Sequence, residues 1–148
     1  MKANKLKVYM KMAREVATLS PDQQTKVGCI LLSKDQRIIA SSFNGFLRGA
    51  NDALLPKTRP EKYQYIQHAE RNALYNCAYQ GIATRDTTLI CTLSPCLECL
   101  RACFQSGIST IIYEDFYAGL KTDDIYTTLL DVKVQVSKIG KYTKLELS

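Results

Sequence analysis

The stretch from Ile66 to Tyr113 restricts the fold most, because its apolar residues switch repeatedly between helical and strand spacing. Ile66, Ala69, Ala73 and Cys77 continue one helical face to about Tyr79. Thr87 to Leu93 then reads as a strand, Pro95 to Gln105 as a helix and Ile108 to Tyr113 as a second strand. A helix that joins two neighbouring strands carries the chain back across the sheet, so those strands pair in parallel. Upstream, Leu6, Tyr9, Met10, Ala13 and Val16 mark an amphipathic helix that ends at Ser20-Pro21-Asp22. Val27 to Leu32 and Arg37 to Ser42 flank Ser33-Lys34-Asp35-Gln36, which is a hairpin pattern. Downstream, Thr122 to Leu130 reads as a helix. Val132, Val134 and Val136 alternate with Lys133 and Gln135 as a strand with one wet face, and Tyr142 to Leu147 is a candidate last strand after the Gly140 turn. The order predicts an α/β fold in three layers, α/β/α, with a mixed central sheet of about five strands flanked by helices.

At 148 residues the chain is expected to form a single domain, 1–148, large enough to bury a core. An apolar share of 46% beside 23% charged residues excludes a disordered chain. No apolar run approaches the roughly 20 residues of a membrane span. Lys5, Lys7, Lys11 and Arg14 interrupt the start too often for a signal peptide, so a cytoplasmic protein is expected. Six cysteines in that setting suggest thiols or metal ligands rather than disulfides. The net charge of +6 favours an anionic partner. A phosphorylated metabolite, nucleic acid and plain solubility all agree with it, although the lack of a long Lys/Arg run counts against nucleic acid.

Asn44 to Tyr65 has little periodicity and is punctuated by Gly45, Gly49, Pro56 and Pro60. A connection that long inside a small domain is usually functional.

The chemistry concentrates on few residues. The chain has one histidine, His68, two positions before Glu70, and Pro95-Cys96-Leu97-Glu98-Cys99 follows downstream. One imidazole and two thiolates make a zinc set that leaves the fourth tetrahedral position open, as a catalytic site requires. Cys96 and Cys99 share a side of a helix's first turn, with Pro95 suited to the helix start. His68 and Glu70 point apart in mid-helix and can approach one metal only where the chain enters a helix. Glu70 is then the general acid/base beside a water whose pKa zinc lowers from ~15.7 toward ~7. Taken singly, a His at a helix start is usually a cap or surface group, and a Cys-x-x-Cys is as often redox-active or structural. In this order and spacing they form the signature of the zinc nucleobase deaminases.

His68-Ala69-Glu70-Arg71-Asn72-Ala73 together with Pro95-Cys96-Leu97-Glu98-Cys99 resembles the cytidine deaminase superfamily, and within it the deoxycytidylate (dCMP) deaminases. That branch carries Gly-Tyr-Asn-Gly-Phe-Pro-Arg-Gly after its hairpin. Here Ser42-Phe43-Asn44-Gly45-Phe46-Leu47-Arg48-Gly49 stands in its place, with Ser42 and Leu47 departing from it. Lys26-Val27-Gly28-Cys29-Ile30 is similar to the family's Val-Gly-Ala strand, and Tyr113 and Tyr117 match a tyrosine-containing region. The resemblance covers roughly residues 5 to 120. It implies a cytidine-deaminase-like fold and hydrolysis of dCMP to dUMP and ammonia for thymidylate supply. Glu70 would move the water's proton to N3 of the base and then assist the leaving amine.

It further implies one zinc ion on His68, Cys96 and Cys99, and substrate contacts from Asn44, Tyr117 and Lys26, with Arg48 and Arg71 as other candidates for the phosphate. Asn44-Gly45 would otherwise be a turn, and Tyr117 a core residue. A homohexamer activated by dCTP with Mg2+ and inhibited by dTTP is the wider family expectation, with Phe46, Arg48, Asp52 and Asn72 at the effector site. With no second histidine, a second structural zinc is not expected. Cys29, Cys77, Cys91 and Cys103 read as small buried apolar residues. The alternatives are a deaminase of tRNA adenosine, free cytidine or dCTP, and a non-catalytic zinc domain that binds nucleic acid.

Overall fold

A computed structural model describes residues 1–116 and 132–147. The predicted helix at 122–130 and Tyr117 lie outside the described residues. Helix α1 spans Ala3–Ala17, strands β1 Gly28–Leu32 and β2 Ile38–Phe43, helix α2 Ala69–Gln80, strand β3 Thr87–Leu93 and helix α3 Leu97–Gln105. Strands β4 Ile108–Asp115, β5 Val134–Ile139 and β6 Tyr142–Leu147 follow. Two short 3-10 turns, Asp52–Leu54 and Glu61–Gln64, lie in the long connection before α2.

The strands form one sheet in the order β2-β1-β3-β4-β6-β5. It has six strands rather than about five, because Tyr142–Leu147 is a full strand and sits inside the sheet. β3 and β4 are parallel, joined through α3 as the spacing predicts, and β1 is antiparallel to both β2 and β3. β6 lies antiparallel between β4 and β5, so the strand next in sequence to β4 is not its neighbour. Leu145 on β6 is fully buried, whereas β5 alternates and is mostly wet. With three apolar residues in each strand, composition does not separate them; β6 is the strand buried on both faces, at Tyr142, Thr143 and Leu145, and it takes the interior position.

The two faces of the sheet carry separate cores. Ile30, Leu32, Ile90 and Ile112 pack against Leu6, Met10 and Ala13 of α1. Cys29, Leu31, Leu89, Cys91 and Ile111 pack against Ala69, Ala73 and Cys77 of α2 and Leu100 and Cys103 of α3. Strand β1 is therefore buried at every position, which explains its unbroken apolar run. Each large aliphatic side chain buried this way contributes about 1.5–3 kcal/mol. Gly28 allows α1 to lie directly on the sheet, since a Cβ there would stand 1.9 Å from the Ala13 carbonyl oxygen. Gly81 closes α2 in the left-handed conformation, at φ 71°. Among the described residues no helix is long and apolar enough to cross a membrane.

Candidate active site

Two helix starts meet at the carboxyl end of β3, where open α/β sheets commonly place their ligands. His68 is the residue that caps α2, in extended conformation (φ −67°, ψ 149°). The chain turns sharply there, and that turn lets His68 and Glu70 face one point. Cys96 holds the matching position before α3, and there, unlike at His68, the side chain itself caps: its Sγ accepts a hydrogen bond from the Cys99 backbone N–H at 3.4 Å. Pro95 thus precedes the cap instead of opening the helix, because the Cys96 sulfur takes the capping position. Ser42 Oγ donates to the Ala69 carbonyl at 2.6 Å and fastens the α2 start to β2.

His68 Nδ1 lies 3.6 Å from Cys96 Sγ and 3.3 Å from Cys99 Sγ. All three ligand atoms lie within 4.8 Å of one another. Zinc–nitrogen and zinc–sulfur bonds of about 2.05 and 2.3 Å at tetrahedral angles set an N···S edge of about 3.5 Å. The observed separations bracket that edge, and the soft donor set suits zinc, so these residues fit the ion. Hydrogen bonds from Cys99 and His68 pull the Cys96 thiol down to about 3, making it a thiolate. Its bond to that thiolate, with burial, pushes Cys99 up and keeps it protonated. Zinc held by His68, Cys96 and Cys99 would require Cys99 as its thiolate.

Glu70 is 4% exposed and lines a pocket of about 260 Å³ together with His68 and Cys96. Burial pushes its carboxyl above the ordinary range, the direction that suits proton transfer near neutral pH. Behind it stand Cys29 and Cys91, with their sulfurs 3.3 Å apart and both side chains fully buried. Val27, Ile66 and Leu93 supply apolar wall, and Asp22, Thr25, Arg59, Lys62 and Tyr63 add polar lining.

Asn44 lines this pocket, yet its amide is engaged within the protein. Oδ1 accepts from the Val27 N–H at 2.8 Å, while Nδ2 donates to the Thr25 carbonyl at 2.8 Å and to Asp22 Oδ2 at 3.3 Å. Asp22 is a hub: its carboxylate also accepts from the Gln24 and Thr25 N–H groups, and from Lys62 Nζ at 2.7 Å. Both members of that ion pair have only 3% of their side chains exposed. Burial pushes the Asp22 carboxyl up, but Lys62 and the two backbone N–H groups together hold it below its usual range.

The other predicted site residues lie elsewhere. Lys26 is exposed and does not line the pocket, because Val27 beside it turns inward. Phe46, Arg48 and Asn72 line a second groove of about 660 Å³ between α2 and the segment after β2. Arg48 stands 4.2 Å over the Tyr79 ring, and Asn72 donates to the Phe43 carbonyl at 2.9 Å. Asp52 is exposed on a 3-10 turn and does not line that groove. Arg71 donates to Glu98 at 2.9 Å beside the α3 start. The sequence reading missed Asp22, Arg59, Lys62 and Tyr63, which sit in aperiodic segments and carry no motif spacing.

Residues 3–115 match the family described as the cytidine and deoxycytidylate deaminase zinc-binding region. The chain belongs to this family of zinc-binding deaminases. Within it, the chain is 34% identical over 127 residues to a probable deoxycytidylate deaminase of Drosophila melanogaster, covering 78% of this chain and 62% of that protein. It is 30% identical over 111 residues to the human deoxycytidylate deaminase, covering 71% and 61%. It thus spans about three-fifths of the length of these curated relatives. The crystal structure of the dCMP deaminase from cyanophage S-TIM5 in complex with dCMP and dUMP superimposes with a TM-score of 0.71. The two are 29% identical, over 87% of this chain and 94% of that one.

Proposed function

We propose that this protein is a hydrolase that converts dCMP and water into dUMP and ammonia, with one zinc ion held by His68, Cys96 and Cys99. The convergence of those three side chains, two of which line one pocket together with buried Glu70, carries this reading. The similarity to a dCMP deaminase that holds dCMP and dUMP supports the substrate. Zinc bound there supplies the Lewis acidity that lets water act as a nucleophile near neutral pH. Glu70 takes a proton from that water and delivers it to N3 of the cytosine. It then carries the second proton to the departing amino group, so that C4 gains oxygen as ammonia leaves. A buried carboxylate suits this shuttle because bulk water does not compete for its protons. Val27, Ile66 and Leu93 enclose the ring, and Asn44 Oδ1, which accepts one hydrogen bond from Val27 N–H, keeps a lone pair for the sugar.

The second groove supports regulation by dCTP with Mg2+, and by dTTP, since Phe46, Tyr75 and Tyr79 offer ring faces and Arg48 a cation. Exposed Leu47, Tyr75 and Tyr79 around it suit a homo-oligomer such as a hexamer.

Ammonia release from dCMP by the zinc-loaded protein, with and without Mg·dCTP, tests the reading. Turnover is expected, and stimulation by dCTP would establish the regulatory part. Absence of release under both conditions overturns the assignment to dCMP.

A further inference from the structure

The active-site pocket has a closed floor and an open rim. Glu70 at the floor is 4% exposed, whereas Tyr63 at the rim is 54% exposed and Arg59 beside it is also exposed. The reacting carbon of a pyrimidine must reach Glu70 and the metal ligands. Its ring substituent at N1, which carries the sugar, then points to the rim.

Arg59 is fixed there by two separate segments. Its Nε donates to Tyr63 Oη at 2.6 Å and its Nη2 to Thr25 Oγ1 at 3.0 Å, while its backbone N–H donates to Gln24 Oε1 at 2.8 Å. Each hydroxyl accepts from the guanidinium, so the hydroxyl hydrogens of Tyr63 and Thr25 are directed away from it. Guanidinium and hydroxyls together form a set of donors on one side of the rim, suited to a phosphate dianion. The other cations are placed differently. Lys62 is committed to Asp22 in a buried pair, Arg48 lies in the second groove, Arg71 pairs with Glu98, and Lys26 does not line the pocket.

We infer that Arg59, oriented by Tyr63 and Thr25, binds the 5′-phosphate of the substrate and makes this site selective for a nucleotide over a nucleoside. The inference rests on the deamination reading above and adds the group that selects the substrate class.

The test compares kcat/KM for dCMP and for deoxycytidine in the zinc-loaded full chain and in Arg59→Gln, Arg59→Lys and Tyr63→Phe. Arg59→Gln is expected to lose about 10- to 100-fold on dCMP, mainly through KM, and to stay within about twofold on deoxycytidine. Arg59→Lys recovers part of the loss, because the charge returns without the fork. Tyr63→Phe loses about 3- to 10-fold on dCMP alone, and it decides the matter if Arg59→Gln fails to fold by circular dichroism. Equal losses on both substrates overturn the inference, since Arg59 would then only hold the loops together. An unchanged dCMP rate overturns it as well.

Should the wild-type protein turn over neither compound, calorimetric binding of dUMP against deoxyuridine separates the two ideas. Tighter binding of dUMP that Arg59→Gln abolishes upholds the phosphate site while the deamination reading falls. Equal binding of the two ligands overturns the phosphate site.

Discussion

The floor and the rim of the active-site pocket are built on opposite principles. The floor uses regular structure: His68 and Cys96 cap two helices, and Glu70 and Cys99 occupy their first turns. The backbone hydrogen bonds of α2 and α3 and the packed core beneath hold those four side chains in place. The rim uses irregular segments, residues 21–27 and 58–66, tied to each other by the Asp22–Lys62 pair and by Arg59. On the proposed function, chemistry that needs fixed distances would sit on the elements and recognition on the loops, a division that would allow one to change without the other.

If that division is real, damage to the floor should abolish chemistry without unfolding the protein. Glu70→Gln is expected to lower kcat by about 10²- to 10⁴-fold, while zinc content measured by elemental analysis stays at one ion per chain. Loss of zinc in that variant would show that Glu70 also supports the metal, and the separation of roles would fail.

The rim should break differently, through stability. Lys62→Met leaves the Asp22 carboxylate buried without its counter-charge, at an expected cost of about 3–5 kcal/mol in urea unfolding. Replacing both residues, as Lys62→Met with Asp22→Asn, should restore much of that loss. A Lys62→Met protein as stable as wild type would mean that the pair does not hold the rim.

Acid sharpens the same point. The folded-state pKa of Asp22 lies below the unfolded value of about 3.9. Its ionised form therefore stabilises the protein above that value, and the contribution fades as pH falls through the folded pKa. Asp22→Asn should flatten the wild-type loss of stability as pH falls below about 4, as measured by urea midpoints. An unchanged slope would assign the acid sensitivity to other carboxylates, such as Glu114, which Arg14 and Lys141 flank.

The smallest effect is expected in the second groove. Arg48→Ala removes a cation over the Tyr79 ring at an exposed position and should cost about 0.5–1 kcal/mol. A cost several times larger would show that this segment is part of the core.

Much of the floor was legible in the order of residues. Thr87–Leu93 and Tyr142–Leu147 occur with the predicted bounds, and α1, the hairpin and α3 lie within a few residues of theirs. The start of α3 was misplaced by two positions, because Cys96 with its sulfur acts as the cap and leaves the proline outside the helix. The place of β6 between β4 and β5 was not legible, since strand order depends on which strand can bury both faces. The role of Asn44 as a structural tie was not legible, because its partners lie on a segment 17 to 22 residues away.

The sequence by itself determined the cluster: one histidine, a Cys-x-x-Cys and a glutamate at offsets that two helix starts bring together. Those offsets act locally, through the geometry of a single turn, so they can be read without knowing the rest of the fold. Only the tertiary structure decided what surrounds that cluster. Asp22, Lys62, Arg59 and Tyr63 come together because two aperiodic segments cross at the pocket, and no periodic pattern in the chain records a crossing between distant loops.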